Sequence, residues 1–290
     1  MATQLFTMRR DDRGLTRANG VERNAWVRVL RGSFSGIAGQ DQIDIDADSF
    51  GYEVGSQFAT WTTSHGAFAI GAALAQGDAD THDQSLATHY QAEGEVRGSA
   101  MTVFGTWFAN ATGTEGLSID AWVQRGRYEN TVRGQGLAPE AYDSRAWTVS
   151  LEAGYAFAIH DHVGSKLYLE PQLQVIHTDY DQDTHAEANG TVVKPHTDGG
   201  LSTRLGLRLF GEVGNMQPFV QVGAIHDDTG NAIRFDDRVV SLQLDDVVYE
   251  GTAGVSGQFG TGWRAWGSLT TRHASGTRDN LGEVGVAYRW

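Results

Sequence analysis

Hydrophobic and polar residues alternate one by one along most of the chain. Phe50, Tyr52, Val54 and Phe58 interleave with Gly51, Glu53, Gly55 and Gln57, and Trp147, Val149, Leu151, Ala153 and Tyr155 with Thr148, Ser150, Glu152 and Gly154. Leu167, Leu169, Leu173 and Val175 oppose Glu170, Gln172 and Gln174, and Leu205, Leu207 and Leu209 oppose Arg204, Gly206 and Arg208. Successive side chains of an extended chain point to opposite faces, so each run reads as a strand with one apolar and one wetted face. The pattern predicts twelve strands, near 24–35, 49–60, 67–76, 99–109, 116–128, 145–158, 166–178, 201–210, 218–226, 248–259, 263–272 and 281–290.

The connections between these strands are 13, 6, 22, 6, 16, 7, 22, 7, 21, 3 and 8 residues long, so long and short alternate throughout. A sandwich has no reason to collect its short turns at one end. A transmembrane barrel of the outer membrane does, with short periplasmic turns and longer outer loops. The strands are long enough for the roughly 9–11 residues that cross hydrocarbon at a tilt of about 45°. Closure satisfies every backbone N–H and C=O in lipid, which an open sheet cannot do. An even strand count puts both chain ends on the periplasmic side. The expected fold is therefore all-β, a twelve-stranded antiparallel transmembrane β-barrel. Pro171 is the misfit: it falls mid-strand and predicts a lost ladder bond or a local bulge. Pro139 and Pro195 fall in long loops, and Pro218 opens a strand.

Composition narrows the functional classes. The 290 residues include 37 Gly, 4 Pro and no Cys, and 36 acids against 22 Lys plus Arg leave a formal charge of −14. Abundant aromatics exclude a disordered chain, and glycine without a strict period excludes collagen. The acidic balance argues against a nucleic-acid partner. Without cysteine there is no disulfide framework, thiol nucleophile or Cys-ligated zinc. The longest small-and-apolar run, residues 67–75, contains Gly71 and falls short of the roughly 18 residues of a membrane helix. The opening residues MATQLFTMRRDDRG hold no apolar signal-peptide core, which fits either a cytoplasmic protein or a piece of a longer exported one. Mean hydropathy, −0.35, does not decide, because a barrel shows lipid only every second residue.

Seven segments, NAWVRV (24–29), GLSIDAWVQ (116–124), VSLEAGYAF (149–157), YLEPQLQV (168–175), STRLGLRL (202–209), QPFVQV (217–222) and GEVGVAYRW (282–290), stand in an order that resembles the C-terminal translocator barrel of the type V secretion autotransporters. The resemblance runs from about Asn19 to Trp290. It implies a Gram-negative outer-membrane barrel at the end of a longer precursor, with a helix through its pore, that anchors an N-terminal passenger and delivers it to the cell surface. On that reading residues 1–23 are the pore-spanning helix or linker at the passenger junction, and 24–290 the barrel. The implied partners are the chain's own passenger, the barrel-assembly machinery and outer-membrane lipids including lipopolysaccharide. No cofactor, metal or enzymatic activity is expected, and the expected state is a monomer.

Two segments carry function on this reading. At the end of the chain, Glu283, Gly285, Tyr288 and Trp290 fit a polar–x–Gly–x–x–aromatic–x–aromatic pattern that resembles an assembly signal read by strand pairing; the plain alternative is an aromatic girdle. At the start, Arg9, Arg10, Arg13 and Arg17 mark a polar segment ahead of the Asn19-Gly20 turn. By pattern alone this is either a linker or a helix ordered by wall carboxylates, and the resemblance favours the lumen helix. Asp120, Glu152 and Glu170 lie on the polar phase of neighbouring strands at similar heights. With Gln172, Gln174, Arg204 and Arg208 they form the expected lumen wall facing the helix. In self-cleaving relatives similar acids look like promoters of asparagine cyclisation, but the aligned positions here are Phe6-Thr7, so the nucleophile is missing and a charged socket is the reading. Trp26 and Trp122 share the polar phase and are expected in the lumen, whereas Trp61, Trp107, Trp263 and Trp290 are expected as interfacial anchors.

Other candidates are weaker. Asp44, Asp46 and Asp48 open like a calcium loop, yet Ser49 and Gly55 stand where Gly and Glu are required. His160-Asp161-His162 lacks a third ligand, GSFSG (32–36) is no nucleophile elbow, and His226-Asp227-Asp228 lacks a partner pair. Asp78, Asp80 and Asp83, Asp179, Asp181 and Asp183, and Asp236, Asp237, Asp245 and Asp246 are expected on acidic outer loops. The rival functions are a porin-like channel and a surface-loop hydrolase. The polar N-terminal segment, useful as plug and tether, separates the translocator from both.

Overall fold

The computed structural model describes residues 22–38, 42–162, 165–186, 192–195, 199–228, 231–235, 238–242 and 247–290. The regular elements described are strands: β1 (Asn24–Ala38), β2 (Ile43–Thr63), β3 (Gly66–Ser85), β4 (Gln91–Phe108), β5 (Gly116–Gly134), β6 (Glu140–His162), β7 (Ser165–Gln182), β8 (His185–Ala186), β9 (Val192–Pro195), β10 (Gly199–Val213), β11 (Met216–Asp227), β12 (Asn231–Phe235), β13 (Arg238–Leu242), β14 (Val247–Phe259), β15 (Trp263–Ala274) and β16 (Thr277–Arg289). Twelve close into one barrel in the order β1-β16-β15-β14-β11-β10-β7-β6-β5-β4-β3-β2, and each adjacent pair is antiparallel. The seam between first and last strands is a continuous ladder from Asn24↔Arg289 to Gly36↔Thr277, so the sheet has no free edge there.

Alternation sorts the side chains as the sequence predicts. Val27 and Val29, Val149 and Leu151, Leu205 and Leu207 are exposed on the outside. Their polar neighbours, among them Arg28, Ser150, Glu152, Arg204 and Arg208, are buried inside. The outward apolar band is bounded by two rings of aromatics. At the short-turn end Trp61 stacks on Phe68, Phe68 meets Trp107, Tyr155 meets Phe157, and Phe259, Trp263, Tyr288 and Trp290 run side by side. A bulge between Gln57 and Ala59 resets the phase, so Phe58 and Trp61 both face out. Toward the other end lie the exposed Phe50, Tyr52, Trp147 and Tyr249. Some ten residues separate the rings along a strand, roughly 33 Å of chain and about 25 Å of height at a tilt near 40°, the thickness expected of a barrel's lipid belt.

The strands outlast that belt. β2 has 21 residues, β3 20 and β6 23, so Asp78, Asp80 and Asp83 lie on β3 and Asp179 and Asp181 on β7 rather than on free loops. Exposed Asp78 and Asp80 still alternate with buried Gly77 and Ala79, and ladder pairing continues to Gln84↔Gln91. Beyond the lipid there is no reason for the outward phase to be apolar, so the hydrophobic signal stops before the sheet does. Two of the longer connections also build a small sheet of their own, ordered β13-β12-β9-β8. Asp236, Asp237, Asp245 and Asp246 lie outside the described residues.

Pro171 is accommodated without breaking its strand. It keeps its place opposite Leu207 of β10, but the ladder to β6 passes from Gly154↔Gln172 to Phe157↔Leu169 without pairing Tyr155 or Ala156. The lost ladder bond is confined to one side. Pro218 behaves alike, pairing with Val255 of β14 while the β10 ladder skips it.

Candidate functional site

The lumen is lined by two kinds of surface. One is aromatic: Trp26, Phe104, Trp122 and Trp266 form a buried cluster with Ala73 and Ala287 on the inner wall. The rings lie flat because their landing sites are glycines. A Cβ on Gly55 would meet the Trp26 ring at 2.2 Å, and Cβ atoms on Gly71 and Gly285 would meet Phe104 and Trp266 at 2.1 Å. Ring over glycine covers backbone that carries no side chain of its own, a device that pins register between neighbouring strands. Trp26 and Trp122 thus occupy the lumen as their phase predicts. The inner face is less uniformly wet than its Gly- and Gln-rich pattern suggests.

The second surface is charged. Arg28 of β1 reaches Glu53 of β2 and Glu283 of β16, both at 3.1 Å, and ties both of the first strand's neighbours together. The indole N–H groups of Trp26 and Trp266 donate to Glu53 and Glu283 respectively, so the aromatic and charged surfaces interlock at the closing seam. On the adjoining arc from β10 round to β16, Arg204 of β10 donates to Glu250 of β14 at 2.7 Å, and Arg272 of β15 joins the same carboxylate at 2.9 Å and continues to Asp279 of β16. Arg28, Glu53, Glu250 and Arg272 were not singled out from the sequence. Their signal was present, since each charge sits on the polar phase of its strand, but their partners depend on register between distant segments.

All seven predicted wall residues face inward and are buried: Asp120, Glu152, Glu170, Gln172, Gln174, Arg204 and Arg208. Asp120 and Glu152 are direct cross-strand partners, and Glu152 is opposite Gln174 on β7. Asp120 accepts a hydrogen bond from the Thr106 hydroxyl at 2.6 Å, Gln172 donates to Glu170 at 3.2 Å, and Gln174 donates to Ser150 at 3.0 Å. Glu170 pairs with Arg208 in register, and the Arg208 guanidinium lies 4.0 Å from the centre of the Phe219 ring. The three acids form a strip across β5, β6 and β7. Glu170 is four residues along β7 from Gln174, about 13 Å of strand.

At the short-turn mouth Glu22 lies against the inner wall. The inward-facing Gln57 side chain donates to the Glu22 carbonyl at 2.8 Å, and Arg289 forms an ion pair with the Glu22 carboxylate at 3.0 Å. Arg9, Arg10, Arg13 and Arg17, and the predicted lumen helix that carries them, lie outside the described residues. The four terminal-pattern residues divide between the two faces. Glu283 and Gly285 face inward into the seam network, whereas Tyr288 and Trp290 stand outward in the lower aromatic ring.

The weaker candidates find ordinary places. GSFSG lies in the middle of β1 and Asp44, Asp46 and Asp48 along β2, extended segments rather than loops. His160-Asp161-His162 ends β6, where Asp161 pairs with Lys166 at 3.1 Å, and Asp227 accepts from Ser202 at 2.9 Å while His226 meets Asp228 at 3.2 Å. Among the described residues no three His, Asp or Glu side chains group as a metal site.

Residues 25–270 match the family model described as the autotransporter beta-domain. The chain is 24% identical over 312 residues to the uncharacterized protein YdeU of Escherichia coli strain K12, covering 100% of this chain and 67% of that protein. It is 24% identical over 257 residues to the autotransporter adhesin AIDA-I of Escherichia coli, covering 82% of this chain and 20% of that one. The chain therefore spans two thirds of the first relative's length and about a fifth of the second's. Its fold superposes on the crystal structure of the transport unit of AIDA-I with a TM-score of 0.92 at 23% identity, over 100% of this chain and 95% of that one.

Proposed function

Because this chain belongs to the autotransporter β-domain family, non-enzymatic transport barrels of the Gram-negative outer membrane that export an N-terminal passenger, we propose that its lumen is built to hold residues 1–23 as the passenger's tether. The observation that supports this reading is the mouth: Glu22 is bonded to lumen-facing Gln57 and to Arg289 at the short-turn end, which holds the start of the described chain against the inner wall. In this reading Arg9, Arg10, Arg13 and Arg17 form one face of a helix opposite the acidic strip of Asp120, Glu152 and Glu170. Residues 24–290 form the anchor, and a passenger upstream is carried to the cell surface. An isolated helix of this length is marginal in water, and charged walls supply what it lacks.

An epitope placed upstream of Met1, behind an export signal, tests this directly. The epitope should be digested by protease added to intact cells while the barrel stays protected. In the absence of protease it should remain covalently joined to residues 1–290, because Phe6-Thr7 offers no asparagine amide to attack the chain. An assembled barrel with its epitope protected in the periplasm would overturn the tether. Spontaneous release by cleavage within residues 1–23, abolished by Asp120→Asn, would replace the socket by a catalytic site.

The end of the chain is proposed as the assembly signal. Until β16 pairs with β1 its edge is open to a pairing strand of the assembly machinery, with Tyr288 and Trp290 on its outer face and Glu283 and Gly285 on its inner face. Deleting residues 288–290 should lower outer-membrane assembly in cells about tenfold or more by quantitative immunoblot, with a much smaller loss in detergent refolding. Equal yields in the two settings would reduce these residues to an aromatic girdle.

A further inference from the structure

We propose that the outer face of β4, β5 and β6 carries a binding site for the phosphates of an outer-leaflet glycolipid of the lipid A type. The site rests on the assignment of the long-loop end to the cell exterior. Register places Arg127 of β5 opposite Arg145 of β6, with both side chains outward. Directly opposed like charges on a sheet are about 5 Å apart at Cβ and repel, so the pair costs stability unless an anion shares it. Arg125 stands two residues below Arg127, its guanidinium 5.2 Å from the Trp147 ring, and Arg97 of β4 is diagonal to Arg127 on the same face.

Two of the neighbouring arginines already meet carboxylates. Arg97 meets Glu95 at 2.6 Å, and Arg145 meets Asp181 at 3.4 Å and Asp183 at 3.7 Å, although these pairs are largely exposed, with Arg97 71% and Arg145 53% accessible. Arg127 makes no ion pair among the described residues. Exposed pairs of this kind are worth about 0–1 kcal/mol and yield readily to a phosphate, which guanidinium groups grip through paired N–H donors. Arg97, Arg127 and Arg145 line a groove of about 650 Å³ whose wall also includes the carboxylates Glu129, Asp143 and Asp183. Carboxylates of Glu129 and Asp143 lie one register step farther from the membrane, where the sugar rather than the phosphate would meet them.

Height selects a lipid over a soluble anion. Trp147 belongs to the upper aromatic ring, and below it the outward residues Val149, Leu151, Val123 and Val103 are apolar. A phosphate between Arg127 and Arg145 is thus at headgroup level with its acyl chains against this apolar wall, the arrangement basic clusters use at membrane surfaces.

Residues 1–290, refolded in detergent and checked for folding by heat-modifiable gel migration, can be titrated in native mass spectrometry with diphosphoryl lipid A, dephosphorylated lipid A, phosphatidylglycerol or inorganic phosphate. Diphosphoryl lipid A should bind about tenfold more tightly than the dephosphorylated form, a preference removed by the double variant R127Q/R145Q and kept by R31Q/R278Q, which loses equal charge elsewhere on the outer face. If the double variant fails to fold, R127Q alone should weaken the preference at least threefold. The site is overturned if the preference survives R127Q/R145Q, or R127Q where that is the variant read, or if the distant pair removes it equally. It is overturned as a lipid A site if phosphatidylglycerol binds as tightly or inorganic phosphate alone displaces the lipid. Passenger display plays no part in this measurement, so its failure leaves the translocator reading untouched.

Discussion

Arg28→Met should unfold well before the wild-type barrel in urea or on heating, by one of the largest margins available to a single substitution. Arg28 is 4% exposed and serves two carboxylates, Glu53 and Glu283, each 5% exposed. Methionine keeps the length and apolar stem of the side chain but leaves two acids facing each other across the closing seam. Breaking a buried pair by removing one partner costs about 3–5 kcal/mol, and lumen water brings the expected loss toward the lower figure. The cost falls where β1 meets β16, the last ladder to form in a closing barrel, so the gel-shifted folded band should be lost at a lower temperature. Restoring neutrality with the triple change Arg28→Met, Glu53→Gln and Glu283→Gln should recover most of the stability. Lys166→Gln is the matched control, because Lys166 and Asp161 are 45% and 62% exposed and solvent screens such a pair. If Arg28→Met shifts the unfolding midpoint no more than Lys166→Gln does, the seam is held by its backbone ladder alone.

That network marks the boundary of what a reader of the sequence sees. Period-two alternation exposes the phase of each strand, so the inward placement of Trp26, Trp122, Glu152 and Arg204 follows from the residues next to them. It does not expose register. Arg28 and Glu283 are 255 positions apart, and only the pairing Arg28↔Gly285 brings them into reach. The glycine landing sites are hidden for the same reason: Gly55 belongs under Trp26 because those two residues are opposite each other across β1 and β2. Strand ends are hidden where the environment changes. Above the lipid, Asp78 and Asp80 alternate with Gly77 and Ala79 rather than with charged lumen residues, so neither phase announces a strand, yet backbone pairing still carries β3 and β4 past the membrane. The alternation of long and short turns persists all the same, because lengthening both strands of a hairpin shortens its loop without moving it to the other end.

Removing residues 1–23 should turn a nearly closed barrel into an open one. Twelve strands about 4.8 Å apart and tilted near 40° close on a backbone radius of roughly 12 Å. Inward side chains some 5–6 Å deep leave a bore of about 12 Å, which one helix of diameter about 10–12 Å would fill. The aromatic cluster of Trp26, Phe104, Trp122 and Trp266 narrows one side of that bore without crossing it, since each of three rings lies flat on its glycine. The acidic strip of Asp120, Glu152 and Glu170 faces the space that remains. Planar-bilayer recordings should therefore give a low conductance for residues 1–290 and a conductance about tenfold higher for residues 24–290. The open form should prefer cations, because its wall acids have lost the arginines proposed to face them. Thermal stability should fall with the same truncation, as those acids then repel across a wet lumen, and added salt should recover part of it by screening. Replacing Arg9, Arg10, Arg13 and Arg17 together by Gln separates charge from volume: the pore should stay largely blocked while the stability difference shrinks. Equal conductance for the full and truncated chains would remove the plug and tether from the lumen, and the porin-like channel would then be the better account of this barrel.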